Sequence, residues 1–407
     1  MKNLVIGQSG GPTAVINASL YGAVKAFRES GADGHVLGMI NGIEGFLADH
    51  VMDLSTDLSD KELELLKLTP AAYLGSCRYK LPADLDSEVY PAIFDNFREM
   101  NIGYFLYVGG NDSMDTVDKL SRYAEKIGSD VKFIGIPKTI DNDLVLTDHT
   151  PGFGSAAKYV ASTVREIVLD ASVYQQRSVT IVEIMGRNAG WLVGAAALSK
   201  GEDCDGPDLI YVPELPFDID NFLVRIKELL AEKTFVVVAV SEGIRLADGR
   251  YVCELTDGVD FVDAFGHKQL TGTANYLARR LAQEIGCKTR TIELSSMQRA
   301  ASHLASRIDI LEAFQVGGAA VKAADEGDTG EMVIIKRLSD DPYQSTTDLR
   351  NVHKVSNVEK VVPREWITED GTYVTDEFIS YVRPLIQGDV SPVMVDGIPR
   401  YLYHKKK

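Results

Sequence analysis

The segment Pro137-Lys138-Thr139-Ile140-Asp141-Asn142-Asp143 sets a lysine three residues before one carboxylate and a second carboxylate two residues beyond it. This combination suits a site that needs one carboxylate as a base, another near a divalent cation, and an ammonium for phosphate charge. Gly7-Gln8-Ser9-Gly10-Gly11-Pro12-Thr13 is a second candidate. Its successive glycines let backbone N–H groups approach an anion, and a following helix adds its positive end. The Gly-Lys-Ser/Thr ending of a P-loop is absent, so a tight strand–helix turn without a ligand reads equally well. Gly109-Gly110-Asn111-Asp112-Ser113 is either a third ligand loop or a helix cap, since Asp and Ser both cap helices. Met185-Gly186-Arg187-Asn188-Ala189-Gly190 offers a guanidinium at a helix start, suited to a sugar hydroxyl or a phosphate, or else a surface arginine in a solvated turn.

Each of these segments follows a short apolar run. Leu4 to Ile6, Tyr104 to Val108, Val131 to Ile136, Val179 to Ile184 and Phe235 to Val240 predict buried strands. Ala14 to Glu29, Glu88 to Met100, Met114 to Ile127 and Phe153 to Ser172 predict helices. In the last, Ala157, Val160, Ala161, Val164 and Val168 form one apolar stripe. Strand–loop–helix in repetition predicts an α/β fold of doubly wound, Rossmann-like parallel sheets, in which ligands bind beyond the carboxyl ends of the strands.

The chain has 407 residues, which suits two α/β domains. With 42 basic against 59 acidic side chains, the formal charge is −17. That field repels nucleic acid and anionic membrane, so neither is an expected partner, and an anionic substrate needs a local basic cluster. Cys77, Cys204, Cys253 and Cys287 are scattered without a Cys-x-x-Cys pair, which points to reduced thiols in a cytoplasmic protein. Met1 to Gly7 turns polar at once, so no signal peptide is expected, and no apolar run approaches the roughly 20 residues of a membrane helix.

Together the four loops resemble the 6-phosphofructokinase family. Leu74-Gly75-Ser76-Cys77-Arg78, Thr139 to Asp143, Met185 to Arg187, Ser241-Glu242-Gly243 and Met297-Gln298-Arg299 stand in the family's order over roughly residues 1 to 340. The resemblance implies phosphoryl transfer to the 1-hydroxyl of fructose 6-phosphate, with Mg²⁺ as cofactor. It implies that Asp141 is the base, that Lys138 and Asp112 belong to the catalytic set, and that Thr139 hydrogen-bonds substrate. Asp143 and Asn111 would serve the metal. Gly11, Arg78, Asp112, Ser113 and Lys138 would meet diphosphate. Met185, Gly186, Arg187, Glu242, Met297 and Gln298 would line the sugar, and Arg290 and Arg299 would grip its 6-phosphate. Arg177 would reach the site of a neighbouring subunit, implying a homodimer or homotetramer.

Two positions bear on the phosphoryl donor. Members resembling the ATP-using branch carry glycine where this chain has Asp112 and Lys138. A carboxylate near the α-phosphate of a nucleotide would repel it by roughly 4 kcal/mol at 4 Å and an effective dielectric of 20, about a thousandfold in affinity. Lys138 would instead favour compact pyrophosphate, and the Ser9-Gly10-Gly11-Pro12-Thr13 opening also looks like the pyrophosphate-dependent branch. The remaining readings are an ATP-dependent enzyme, a kinase that also takes sedoheptulose 7-phosphate, and a non-catalytic sugar-phosphate-binding protein. Two departures from the family pattern are Asn111, where an aspartate is usual, and Ser296, where the ATP-using branch tends to have histidine. The expected organisation is a donor domain of residues 1–150 plus about 298–345, a sugar-phosphate domain of 151–297, and a C-terminal extension of 346–407.

Overall fold

Buried runs of Val, Ile, Leu and Phe build the central strands, and amphipathic segments cover them. The computed structural model describes residues 2–255 and 270–403. The chain begins with β1 (Asn3–Gln8), α1 (Ile16–Glu29), β2 (Val36–Met39), α2 (Gly42–Leu47), β3 (Val51–Asp53), α3 (Asp60–Lys67) and α4 (Val89–Glu99). It continues through β4 (Ile102–Gly109), α5 (Asn111–Ile127), β5 (Lys132–Pro137), α6 (Phe153–Ser172), β6 (Ser178–Ile184) and α7 (Trp191–Gly194). Then come β7 (Leu209–Tyr211), α8 (Ile219–Glu232), β8 (Phe235–Ser241), α9 (Thr273–Glu284), β9 (Lys288–Glu293) and α10 (Met297–Ala300). The described chain closes with α11 (Arg307–Glu326), β10 (Glu331–Asp340), β11 (Tyr343–Asn351), α12 (Asp376–Val382) and a small hairpin, β12 (Met394–Val395) and β13 (Ile398–Pro399).

Two compact units result. The first holds residues 2–155, 299–359 and 387–403; the second holds 156–255, 270–298 and 360–386. Residues from 346 onward, expected as one extension, are therefore shared between the units. The tail from His404 lies outside the described residues.

In the first unit a seven-stranded sheet runs β11-β10-β5-β4-β1-β2-β3. Its interior pairs are parallel, whereas β3 and β11 are antiparallel edges. Strand order reverses between β1 and β4, and such a reversal opens a crevice at the carboxyl ends of the two strands. The loops after β1 and β4 are the two glycine-rich loops. Both sheet faces are covered. Leu4, Ile6, Leu106 and Ile134 pack under α1 and α11, and Val5, Phe105, Phe133 and Tyr107 pack under α4 and α5.

In the second unit four parallel strands run β7-β8-β6-β9. The loops after adjacent β6 and β8 carry Met185–Arg187 and Ser241–Gly243. A buried aromatic group backs the first of these. Trp191 lies 6.0 Å from Trp366 and 5.9 Å from Phe378 between ring centroids, and its indole N–H donates to the Lys360 carbonyl at 2.9 Å. Glu214 accepts from the backbone N–H of Gly190 and of Val362, so this C-terminal stretch is sewn to the loop it supports.

One buried ion network anchors the end of the Lys138–Asp143 loop. The His149 ring is 1% exposed and sits between Asp148 (2.8 Å) and Glu312 (2.6 Å). Tyr343 and Ser345 donate to the other Glu312 oxygen, and Arg337 donates to Asp148. Burial by itself would lower the His149 pKa, but the Glu312 carboxylate and the Asp148 hydrogen bond outweigh it and raise the value from 6.5 to about 9. A histidine with a raised folded-state pKa stabilises fully below 6.5, and the contribution fades as pH rises through about 9. The gap in melting temperature between wild type and His149→Asn is therefore expected to be wide at pH 6.5 and to narrow by pH 9.5. The pH-dependent part is on the order of 2 kcal/mol. Thermal melts at the two pH values check this; an unchanged gap would refute it.

Candidate active site

The first unit gathers the donor-side residues. Lys138 follows β5 directly and is 3% exposed; its ammonium donates to the Gly11 carbonyl at 2.7 Å. A Cβ at Gly10 would lie 3.3 Å from that ammonium, and one at Gly11 would lie 3.3 Å from an Arg299 guanidinium nitrogen. The glycines thus allow two cations to close on the turn after β1. Burial pushes the Lys138 pKa down to about 8. Asp141 and Asp143 oppose that shift, whereas Arg299 and Arg78 add to it. Four charged residues predicted for the site therefore act on Lys138 within one unit. The loop carrying Arg78 is tied in as well, since Ser76 donates to the Gly10 carbonyl at 2.7 Å.

The Thr139–Asp143 loop is held from within. Thr139 accepts from the Asp141 backbone N–H, and Thr150 donates to the Thr139 carbonyl. Asn142 is fully buried at φ 54°, and its side-chain oxygen accepts from the Thr150 N–H. Asp141 and Asp143 therefore emerge on either side of a locked residue. Asp143 Oδ1 is buried and has no hydrogen-bond partner among the described residues. Burial, with the nearby Asp141 and Glu359 charges, pushes its pKa up to about 7.

Asn111 and Asp112 open α5, where Gly110 is the cap residue. The Asn111 amide nitrogen donates to the Val358 carbonyl at 2.8 Å, and its oxygen is buried without a partner among the described residues. Ser113 is buried, with its hydroxyl against Gly109. No cluster of three or more His, Cys, Asp or Glu able to hold a metal occurs among the described residues. These two loops offer the Asp143 carboxylate oxygen and the Asn111 amide oxygen. That sparse set suits Mg²⁺, which is usually held by one or two carboxylates plus substrate phosphates and retained waters.

The second unit holds residues expected to line the sugar. Gly243 packs so tightly that an added Cβ would collide with the Arg187 carbonyl, and Ser241 donates to the Gly186 carbonyl at 2.5 Å. Glu242 donates its backbone N–H to Ile184. Gln298, 1% exposed, accepts from the Met185 N–H at 3.3 Å and donates to the Ser295 carbonyl at 2.9 Å, so backbone groups engage both ends of its amide. Met297 is 54% exposed.

Arg177 and Arg290 lie elsewhere in this unit. Arg177 precedes β6, while Met185 follows that seven-residue strand, a separation of about 26 Å at roughly 3.3 Å per residue. Arg290 pairs in register with Thr180 near the same amino end. It donates to Asp170 at 2.8 Å and stacks 4.9 Å from the Tyr174 ring. The first unit thus brings Lys138, Arg78 and Arg299 together, and within the second unit Arg187 stands apart from Arg177 and Arg290.

Sequence reasoning missed Val358 and Glu359. Their segment is polar and aperiodic, and no signal within it points to the loops it touches.

A sequence model described as phosphofructokinase matches residues 3–324. The pyrophosphate–fructose 6-phosphate 1-phosphotransferase of Halomonas elongata is 41% identical over 403 residues, covering 98% of this chain and 95% of that protein. The protein of that name from Xanthomonas campestris is 41% identical over 405 residues, with coverage of 98% and 95%. A crystal structure of pyrophosphate-dependent phosphofructokinase from Nitrosospira multiformis superposes with a TM-score of 0.89 at 37% identity, covering 98% of this chain and 96% of that one. Motif order, sheet topology and whole-length similarity agree: the chain belongs to the phosphofructokinase family.

Proposed function

We propose that the chain transfers the terminal phosphoryl group of pyrophosphate to the 1-hydroxyl of fructose 6-phosphate, reversibly, releasing phosphate. The observation that carries this reading is the buried Lys138 ammonium, bonded to Gly11 beside Asp141 and Asp143. Burial weakens its hold on its own proton, and a polyanion arriving there restores it. Asp141 accepts the proton of the sugar hydroxyl as that oxygen forms its bond to phosphorus and the bond to the leaving phosphate breaks. Lys138, Arg78 and the N–H groups around Gly10 and Gly11 meet the diphosphate charge. Asp112, in the first turn of α5, sets its carboxylate against a nucleotide's further phosphate. Met185, Gly186, Arg187 and Glu242 orient the sugar, with Gln298 holding Met185 in place.

Asp143 and the Asn111 oxygen are the groups that would hold Mg²⁺, which when bound neutralises phosphate charge and polarises the phosphoryl group. Family membership supports the metal. The separate position of Arg177 and Arg290 supports a homo-oligomer in which these arginines serve a second copy's sugar phosphate. The four unpaired cysteines fit a reducing cytoplasm, and among the described residues no helix is long and apolar enough to cross a membrane.

A donor assay on the purified chain tests the reading. Pyrophosphate should support turnover and ATP and ADP should not, in a species that light scattering sizes above a monomer. Turnover with ATP but none with pyrophosphate refutes the donor assignment, and a fully active monomer refutes the role of Arg177.

A further inference from the structure

The family match ends at residue 324, yet a segment some thirty residues further along lies on the donor loops. Three contacts place it. Val358 offers its carbonyl to the Asn111 amide at 2.8 Å, and Asn357 donates to Asp115 on α5 at 3.2 Å. Glu359 forms an antiparallel backbone bridge with Leu144, the residue after Asp143. Residues 357–359 therefore span from the start of α5 to the end of the Thr139–Asp143 loop, all within the first unit.

We infer that Asn357–Glu359 is a positioning element of the donor site: the Val358 carbonyl orients the Asn111 amide, and Glu359 adds a carboxylate charge that strengthens binding of Mg²⁺-diphosphate. This rests on the function proposed above. The chemistry explains an amide at position 111. An aspartate there would press a carboxylate oxygen against the Val358 carbonyl oxygen, so only an amide can donate to that carbonyl and keep its own oxygen unengaged. The negative charge that an amide lacks is supplied nearby, because the backbone bridge to Leu144 sets Glu359 beside the residue that follows Asp143. Glu359 is exposed, so it acts through solvent-screened charge at moderate strength.

The test is calorimetric titration with Mg²⁺ and methylenediphosphonate, a diphosphate analogue that cannot be cleaved, alongside steady-state kinetics. Glu359→Gln is expected to weaken analogue binding about fivefold, the order for one exposed charge, and to raise the KM for pyrophosphate similarly. The KM for the sugar phosphate and kcat should move less than twofold, and Glu359→Asp should recover most of the affinity. Asn357→Ala, which removes one of the segment's two hydrogen bonds to α5, should weaken analogue binding in the same direction. Analogue affinity within twofold of wild type in both Glu359→Gln and Asn357→Ala overturns the inference, whatever happens to the melting temperature. If wild type itself neither binds the analogue nor uses pyrophosphate, the proposed function fails instead, and the two failures are distinguishable.

Discussion

Asp141→Asn is expected to lower kcat by about a thousandfold, within the range supplied by a positioned general base, while the sugar phosphate still binds. The geometry makes this a clean substitution. The Asp141 backbone is fixed by the Thr139 hydroxyl and by the buried Asn142 that follows, so an isosteric amide keeps the loop in place. What disappears is the capacity to accept a proton, together with the negative charge that acts on Lys138 and Asp143. Single-turnover kinetics with pyrophosphate, combined with calorimetric binding of fructose 6-phosphate, separate the two effects. A variant that retains a tenth of wild-type kcat would remove Asp141 from the role of base. One that loses sugar-phosphate binding together with kcat would make it a binding residue instead.

Lys138→Met should be the second large loss, with kcat/KM for pyrophosphate falling about a hundredfold or more, since a charge-assisted contact to phosphate is lost from a desolvated site. The sign of the stability change distinguishes this from damage to the fold. A lysine whose folded-state pKa lies below its unfolded value opposes folding while it is charged, and at pH 7 that penalty is fully present. An apolar side chain of similar length removes the penalty and sacrifices one hydrogen bond to Gly11. The unliganded variant should therefore melt no lower than wild type, even though it has lost its donor. A melting temperature depressed by many degrees together with intact kcat/KM for pyrophosphate would reverse the assignment and make Lys138 a structural residue. A variant that melts no lower would mark Lys138 as a cation kept for a ligand at a cost to the unliganded fold.

Much of the first unit is legible in the residues themselves. Strands such as Phe133 to Ile136 are apolar because both sheet faces are covered, and their ends coincide with the glycine, lysine and carboxylate loops. The order of the strands is not legible, because β1 beside β4 is a long-range pairing that no local pattern encodes. The polar strands also escape. Lys288 to Glu293 and Tyr343 to Asn351 form a sheet edge or a half-exposed hairpin, where solvent tolerates charges that a buried strand excludes. The arginines illustrate the same limit at the level of the site. Their residue types announce anion binding, but only the direction of β6 shows that Arg177 and Arg187 stand at opposite ends of one strand. His149 gave no signal either, since its partners Asp148 and Glu312 are adjacent to it and 163 residues away respectively.

The first unit draws on stretches from the beginning, the later middle and the end of the chain. Its helix layer includes α11 and its sheet includes β10 and β11, which end at Asn351. During synthesis the face of β1, β2, β4 and β5 that α1 begins to cover stays incomplete for nearly two hundred residues, until α11 and β10 arrive. That interval is long enough for exposed apolar surface to attract chaperones or a second nascent chain. Assembly of the first unit is thus a late event, although its glycine-rich loops are made long before α11.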